Sequence, residues 1–294
     1  MKETRTRRVQ SIIEPQQVLE GAGVRLKRSI ATREVNYLDP FLLFDDFGSH
    51  DSRDYEAGFP LHPHRGIETV TYILSGAVRH KDTLGNAGSI GAGDIQWMTS
   101  GRGIMHEEMP QIRPEGIAGF QLWVNLPASA KMTRPRYQDV RSDRIPELET
   151  RDGAKVRVVA GTAGDMRGAV TDIAADPIYL DVLVPPRSTY RERIEPGHTA
   201  FAYVFQGSAT FPGPGDEKVA VHEPRLVVLG DGDEISVTTG AGPARFLLVS
   251  GKPLNEPIVR YGPFVMNTRA EIEQALEDLR QGTFVQDEAH LQGK

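Results

Sequence analysis

Cysteine is absent from the 294 residues, which excludes disulfides, a thiolate nucleophile and any sulfur-ligated metal. A metal site would have to draw on His, Asp or Glu. No apolar run approaches the ~20 residues that a membrane-spanning helix needs, and residues 1–11 lack the apolar centre of a signal peptide. A cytoplasmic protein with no membrane partner is therefore expected. A large charge of one sign is missing as well: the formal net charge is −6, too small and of the wrong sign to draw the chain to nucleic acid or anionic lipid. Basic residues gather at Lys2, Arg5, Arg7 and Arg8, a short cluster that reads as a solvated tail. A second set, Arg25, Lys27, Arg28 and Arg33, could face a partner but reads more simply as a solvated basic strand.

Helical periodicity is scarce too, with one clear instance. Thr268 and Glu271 form a capping-box pair, Ile272, Ala275, Leu276 and Leu279 follow helical spacing, and Gly282 supplies the stop. Elsewhere Gly and Pro punctuate short runs of β character at 69–74, 95–99, 119–126, 178–184, 201–205, 225–229, 234–238 and 245–250. Many short strands between turn signals predict an all-β sandwich or barrel. The segment 128–151, rich in Pro, Arg, Asp and Ser, reads as the connection between two halves, with domains expected at 1–135 and 136–294 and the helix in the second.

The halves resemble one another. TVTYILSG (69–76) has a counterpart in AFAYVFQG (200–207), and Gly93-Asp94 leads a run ending at Gly101 much as Gly232-Asp233 leads one ending at Gly240. Two such units indicate a duplicated barrel.

Two short patterns carry chemistry. In His62-Pro-His64, residues two apart on a strand face the same side, roughly 6.5–7 Å apart, so both imidazoles can reach one ion. His106-Glu107-Glu108 repeats that geometry with an imidazole and a carboxylate. Each pattern alone is weak; together, in matched places of one β unit, they predict a site for one metal ion held by His62, His64, His106 and Glu108. Such a set suits Fe(II), Mn(II), Ni(II), Cu(II) or Zn(II). In the second half, alignment on the glycines puts Arg193, Glu195, Arg245 and Leu247 at these positions, which predicts a metal-free barrel. The other histidines (His50, His80, His198, His222 and His290) read as ordinary polar residues. Asp45, Asp46, Glu68 and Gln121 are candidates for orienting the ligands, and Phe47, Phe59 and Met105 for lining a pocket.

These residues also carry a family resemblance. FDDFG (44–48), HPHRGIETVTYILSG (62–76), GDIQWMTSGRGIMHEEMP (93–110), GFQLWVNLP (119–127) and GPFVMNTRAEI (262–272) resemble pirins, iron-containing members of the cupin superfamily, over about residues 20–285. The resemblance implies a bicupin of two jelly-roll-like barrels with a C-terminal helix. It implies iron in the first barrel, held at positions matching His62, His64, His106 and Glu108, with Glu68 close by as a non-ligand. The chain departs from the family in lacking Cys and in a longer stretch between Phe211 and His222. The resemblance implies two functions. One is a quercetin 2,3-dioxygenase-like reaction, opening a flavonol with O2, in which Glu108 is either a constant ligand or a base. The other is a non-enzymatic, redox-sensing iron protein that regulates transcription or a metabolic enzyme by binding a protein partner.

Overall fold

The computed structural model describes residues 4–286, which leaves His290 and Lys2 outside the described residues. The chain divides into two compact units, each built from antiparallel strands.

The first unit comprises residues 16–142 and 254–294. Its larger sheet has seven strands, in the order Arg136–Val140, Ile95–Thr99, Ile67–Ser75, Ile117–Asn125, Phe41–Ser49, Val24–Ile30 and Gln16–Glu20. A four-stranded sheet runs Phe59–His64, Ile104–Pro110, Ala77–Asp82 and Ala87–Gly91. Strand formation follows from β-branched runs such as Ile67, Thr69, Val70, Thr71 and Ile73. Ile117–Asn125 buries Phe120, Leu122 and Val124 on one face, which turns Gln121 and Trp123 to the other.

The C-terminal segment belongs to this unit. A hairpin of Val259–Tyr261 and Phe264–Met266 joins the barrel through a bridge between Arg65 and Phe264. The helix Arg269–Gln281 has the predicted capping box, with Gly282 left-handed at its end. It packs Ile272 and Ala275 on Phe264, Met266 and Met105. A buried ion pair between Arg65 and Asp278, 2.6 Å long, fastens it. Gly66 sits where this segment meets the barrel, at φ +80°, and a Cβ there would lie 2.1 Å from the Val265 carbonyl oxygen. The Lys131 ammonium clasps the same junction, donating to the carbonyls of Gly66 and Val265 and to Asn125 Oδ1. Gly66→Ala is expected to cost about 3 kcal/mol of stability, measured as a drop in the urea midpoint; an unchanged midpoint would contradict this close approach.

The second unit comprises residues 1–15 and 143–253. Two long strands, Thr199–Pro212 and Glu234–Gly251, each pair with different partners along their two halves. The stretches 234–238 and 245–250, expected as separate strands, are thus one. The interior is continuous apolar packing that includes Tyr190, Ile194, Ala202, Val227, Ile235, Val237, Phe246 and Leu248.

Three expectations need correction. The basic N-terminus is not a solvated tail: Val9–Ile13 pairs with Arg225–Leu229, and Arg7 is fully buried, donating to the carbonyls of Glu195, His198 and Gly230. The expected 135/136 division misses the exchange of ends between units, since backbone pairing carries the described residues before Gln16 to the second and hairpin and helix packing carry the described residues after Pro253 to the first. The boundary itself falls at 142/143 because Arg136–Val140, expected as connection, is an edge strand paired with Ile95–Thr99. No helix among the described residues is long and apolar enough to cross a membrane.

Candidate metal centre

The strands Phe59–His64 and Ile104–Pro110 are antiparallel neighbours, with His106 opposite His62 and Ile104 opposite His64. A register shift follows between His106 and Glu108, the mark of a bulge that re-aims side chains beside a site. The alternation predicted from sequence therefore brings three imidazoles together. Ring centroids lie 4.5 Å apart for His62 and His106, 4.8 Å for His62 and His64, and 5.1 Å for His64 and His106. One ligating nitrogen from each falls within 4.8 Å of the others.

The residues present fit a metal ion. Among the described residues, neither ring nitrogen of the buried His106 has a hydrogen-bond partner, nor has Nδ1 of the buried His64. Buried polar atoms left so are costly, and converging lone pairs on neutral imidazoles are what a cation takes up. His62 Nδ1 lies 2.9 Å from the Pro60 carbonyl. That contact holds the proton on Nδ1 and leaves Nε2 as the free donor, as in metal-ligating histidines generally.

Burial, reinforced by the neighbouring rings, pushes the His64 pKa well below its ordinary value and that of His106 down to about 3. Both rings are neutral in the folded chain, while the unfolded chain protonates them near the ordinary His value. The unfolded state then binds more protons below that value, so stability falls as pH falls. Metal-free protein is expected to lose roughly 2 kcal/mol per ring between pH 6.5 and 5, followed by urea unfolding; a pH-independent midpoint would contradict neutral burial.

Glu108 lies beside the cluster, its Oε2 4.0 Å from His106 Nε2. Its Oε1 accepts a 3.0 Å hydrogen bond from Thr71, whose hydroxyl is also 2.8 Å from Gln121 Oε1. A hydroxyl has one hydrogen to give, so both contacts are satisfied when Gln121 turns its amide nitrogen toward Thr71. Burial raises the Glu108 pKa, with His62 pulling in the opposite direction. Gln121 thus reaches the site through Thr71. Asp45 instead pairs with Arg28, Asp46 lies 3.8 Å from Lys27, and the buried Glu68 accepts from Thr99.

A cavity of about 350 Å³ opens on the site. His62, His64 and Glu108 line it together with Phe47, Phe59 and Trp123. Two of the three expected lining residues are there; Met105 packs under the C-terminal helix instead. Sequence reasoning missed Thr71, Trp123, Arg28 and Arg260. His80, expected as an ordinary polar residue, is buried across from Glu108 and stacked on Tyr137. Of the basic strand set, Arg25 pairs with Asp54 and Arg28 with Asp45 and Glu20.

The second barrel shows what replaces the site. Gly76 and Gly207 occupy equivalent turns, each at φ +77° against the partner strand's entry. From there the pairing makes Arg225–Leu229 the counterpart of Ile95–Thr99, and the first half of Glu234–Gly251 the counterpart of Ile104–Pro110. The Gly-Asp match between the halves is therefore a likeness of turns, not of position. A longer turn at 194–198 shifts the other alignment by one residue. His62, His64, His106 and Glu108 correspond to Glu192, Ile194, Ile235 and Val237, not to Arg193, Glu195, Arg245 and Leu247. Thr71 and Gln121 correspond to Ala202 and Leu248.

Comparison with known proteins agrees with this architecture. The Pirin family model matches residues 23–124 and the Pirin C-terminal cupin domain matches 179–285. A Pseudomonas aeruginosa protein named "Putative quercetin 2,3-dioxygenase" is 47% identical over 267 residues, 90% of this chain and 93% of its own. Homo sapiens Pirin is 43% identical over 264 residues, 89% of this chain and 88% of its own. A crystal structure of quercetin 2,3-dioxygenase from Acinetobacter baumannii superposes with a TM-score of 0.84 at 34% identity, covering 95% of this chain and 98% of that one.

Proposed function

The chain belongs to the pirin family, and from that premise we propose that it is a cytoplasmic, metal-dependent dioxygenase that cleaves flavonols such as quercetin with O2. In this reading His62, His64, His106 and Glu108 hold one divalent ion, and we assign Fe(II). The observation that carries the reading is a cavity in which two imidazoles of the cluster, a buried carboxylate and aromatic walls meet. Its volume lies within the range of small-molecule sites. A regulator that acts only through its outer surface needs no such cavity.

When bound, the ion supplies Lewis acidity toward the flavonol 3-oxygen and the one-electron chemistry that O2 requires. The chain's own residues do the rest. Phe47, Phe59 and Trp123 flank a flat ring system and exclude water. Glu108 has its Oε1 held by Thr71, which leaves Oε2, the oxygen nearer His106, to hold the ion at rest and to take the 3-hydroxyl proton when substrate enters. Burial raises its pKa, so it holds that proton more firmly than an exposed carboxylate and returns it to the product. Flavonol and O2 together balance as a depside and carbon monoxide. The test is O2 uptake by iron-loaded protein: one O2 per flavonol lost is expected, and no uptake by protein with confirmed one-to-one iron would reject the reading.

A further inference from the structure

Two guanidinium groups line the cavity, and they differ in what they have left to offer. Arg28 is spent: it makes a two-pronged pair with Asp45 at 2.8 and 2.7 Å and a third bond to Glu20 at 2.6 Å. Arg260, on the hairpin strand Val259–Tyr261, has only backbone carbonyls, Gly262 at 3.1 Å and Leu42 at 3.4 Å. Among the described residues no carboxylate hydrogen-bonds it, and three of its five N–H donors remain to be used.

Its place is as telling as its pairing. The Arg260 Cζ lies 4.8 Å from the Trp123 ring centroid, and Trp123 meets the His64 ring edge-to-face at 5.1 Å. One aromatic ring therefore separates the guanidinium from the imidazole cluster. His64 is buried whereas Arg260 as a residue is exposed, so of these two cavity-lining residues Arg260 is the nearer to solvent. Even so, the packing around its guanidinium, with Arg28 close by, pushes its pKa down. An added anion would relieve that strain.

We propose that Arg260 is a specificity residue, selecting among flat aromatic molecules those that carry an anionic oxygen group, a carboxylate or a phenolate, on the edge remote from His64. The inference rests on the dioxygenase reading only in taking the same cavity as the place where an aromatic molecule binds. The geometry suits the task, because a planar fork stacked on Trp123 is held in orientation and can take an anionic group through two parallel bonds.

The test is anaerobic calorimetric titration of iron(II)-loaded protein with 2-naphthoate and with 2-naphthamide, which match in shape and differ in charge. The carboxylate is expected to bind about tenfold more tightly. Arg260→Gln should remove that preference while leaving amide affinity within about twofold, and Arg260→Lys should restore part of it. Unchanged melting temperatures would show that the variants fold. A preference that survives Arg260→Gln, or one that disappears in His62→Ala instead, would place the anion at the metal centre and overturn the proposal. So would failure of both probes to bind. The readout is independent of turnover: an Arg260-dependent preference in a protein that leaves quercetin intact would refute the flavonol reading alone.

Discussion

Replacing His106 with alanine is expected to abolish metal binding. His106 stands directly across from His62 and within 5.1 Å, centroid to centroid, of His64. It is 1% exposed, with neither ring nitrogen partnered among the described residues, as fits a ring whose lone pair serves a cation. Residues that merely support a ligand cost 10–100-fold in metal affinity when lost; loss of the ring itself should cost more than about 100-fold. The stabilisation that metal confers on the fold should vanish with it, since an ion that binds only the native state raises the melting temperature by mass action. Metal content after gel filtration, beside melting curves with and without iron, checks both. Full occupancy in the variant would mean that the three-histidine cluster is not the centre.

Glu108→Gln should separate holding the metal from doing chemistry. The amide keeps the shape, and its oxygen still accepts from Thr71, so the local packing is retained. What disappears is a base beside the cluster. Turnover is expected to fall by about 10²–10⁴-fold, the usual worth of a positioned proton acceptor, while the three imidazoles and the amide oxygen keep iron bound, with a smaller loss of affinity than in His106→Ala. Turnover close to the parent's would reduce Glu108 to a ligand. Loss of iron would make it an indispensable ligand and leave the proton step without an assigned residue.

The gathering of His62, His64 and His106 was legible because strand geometry is local. Period two in His62-Pro-His64 and His106-Glu107-Glu108 needs only that each segment be extended and that the two be neighbours, and both hold. The helix was legible for a similar reason, its cap and stop being contained in residues 268–282. Long-range pairing was not. Nothing within 1–15 announces that it will complete the second unit, and the burial of Arg7 depends on carbonyls some 190–220 positions away. Arg260 reaches the cavity because a hairpin bridged to Arg65 brings it back to the first barrel. The likeness of the halves misled in one respect: turn sequences can match where strands do not correspond, and only the backbone pairing shows that Ile235 and Val237 stand where His106 and Glu108 do. Trp123 could have been found, since alternation along Ile117–Asn125 sets it beside Gln121 on the cavity face.

Flavonol cleavage at the three-histidine centre is the proposed activity. The most direct measurement loads the protein with Fe(II) without air, then adds quercetin and O2 and follows flavonol absorbance together with carbon monoxide release, with His62→Ala run alongside. Carbon monoxide equal to the flavonol consumed is expected, and neither change in the variant. Intact flavonol and no carbon monoxide from protein carrying one iron per chain would contradict it.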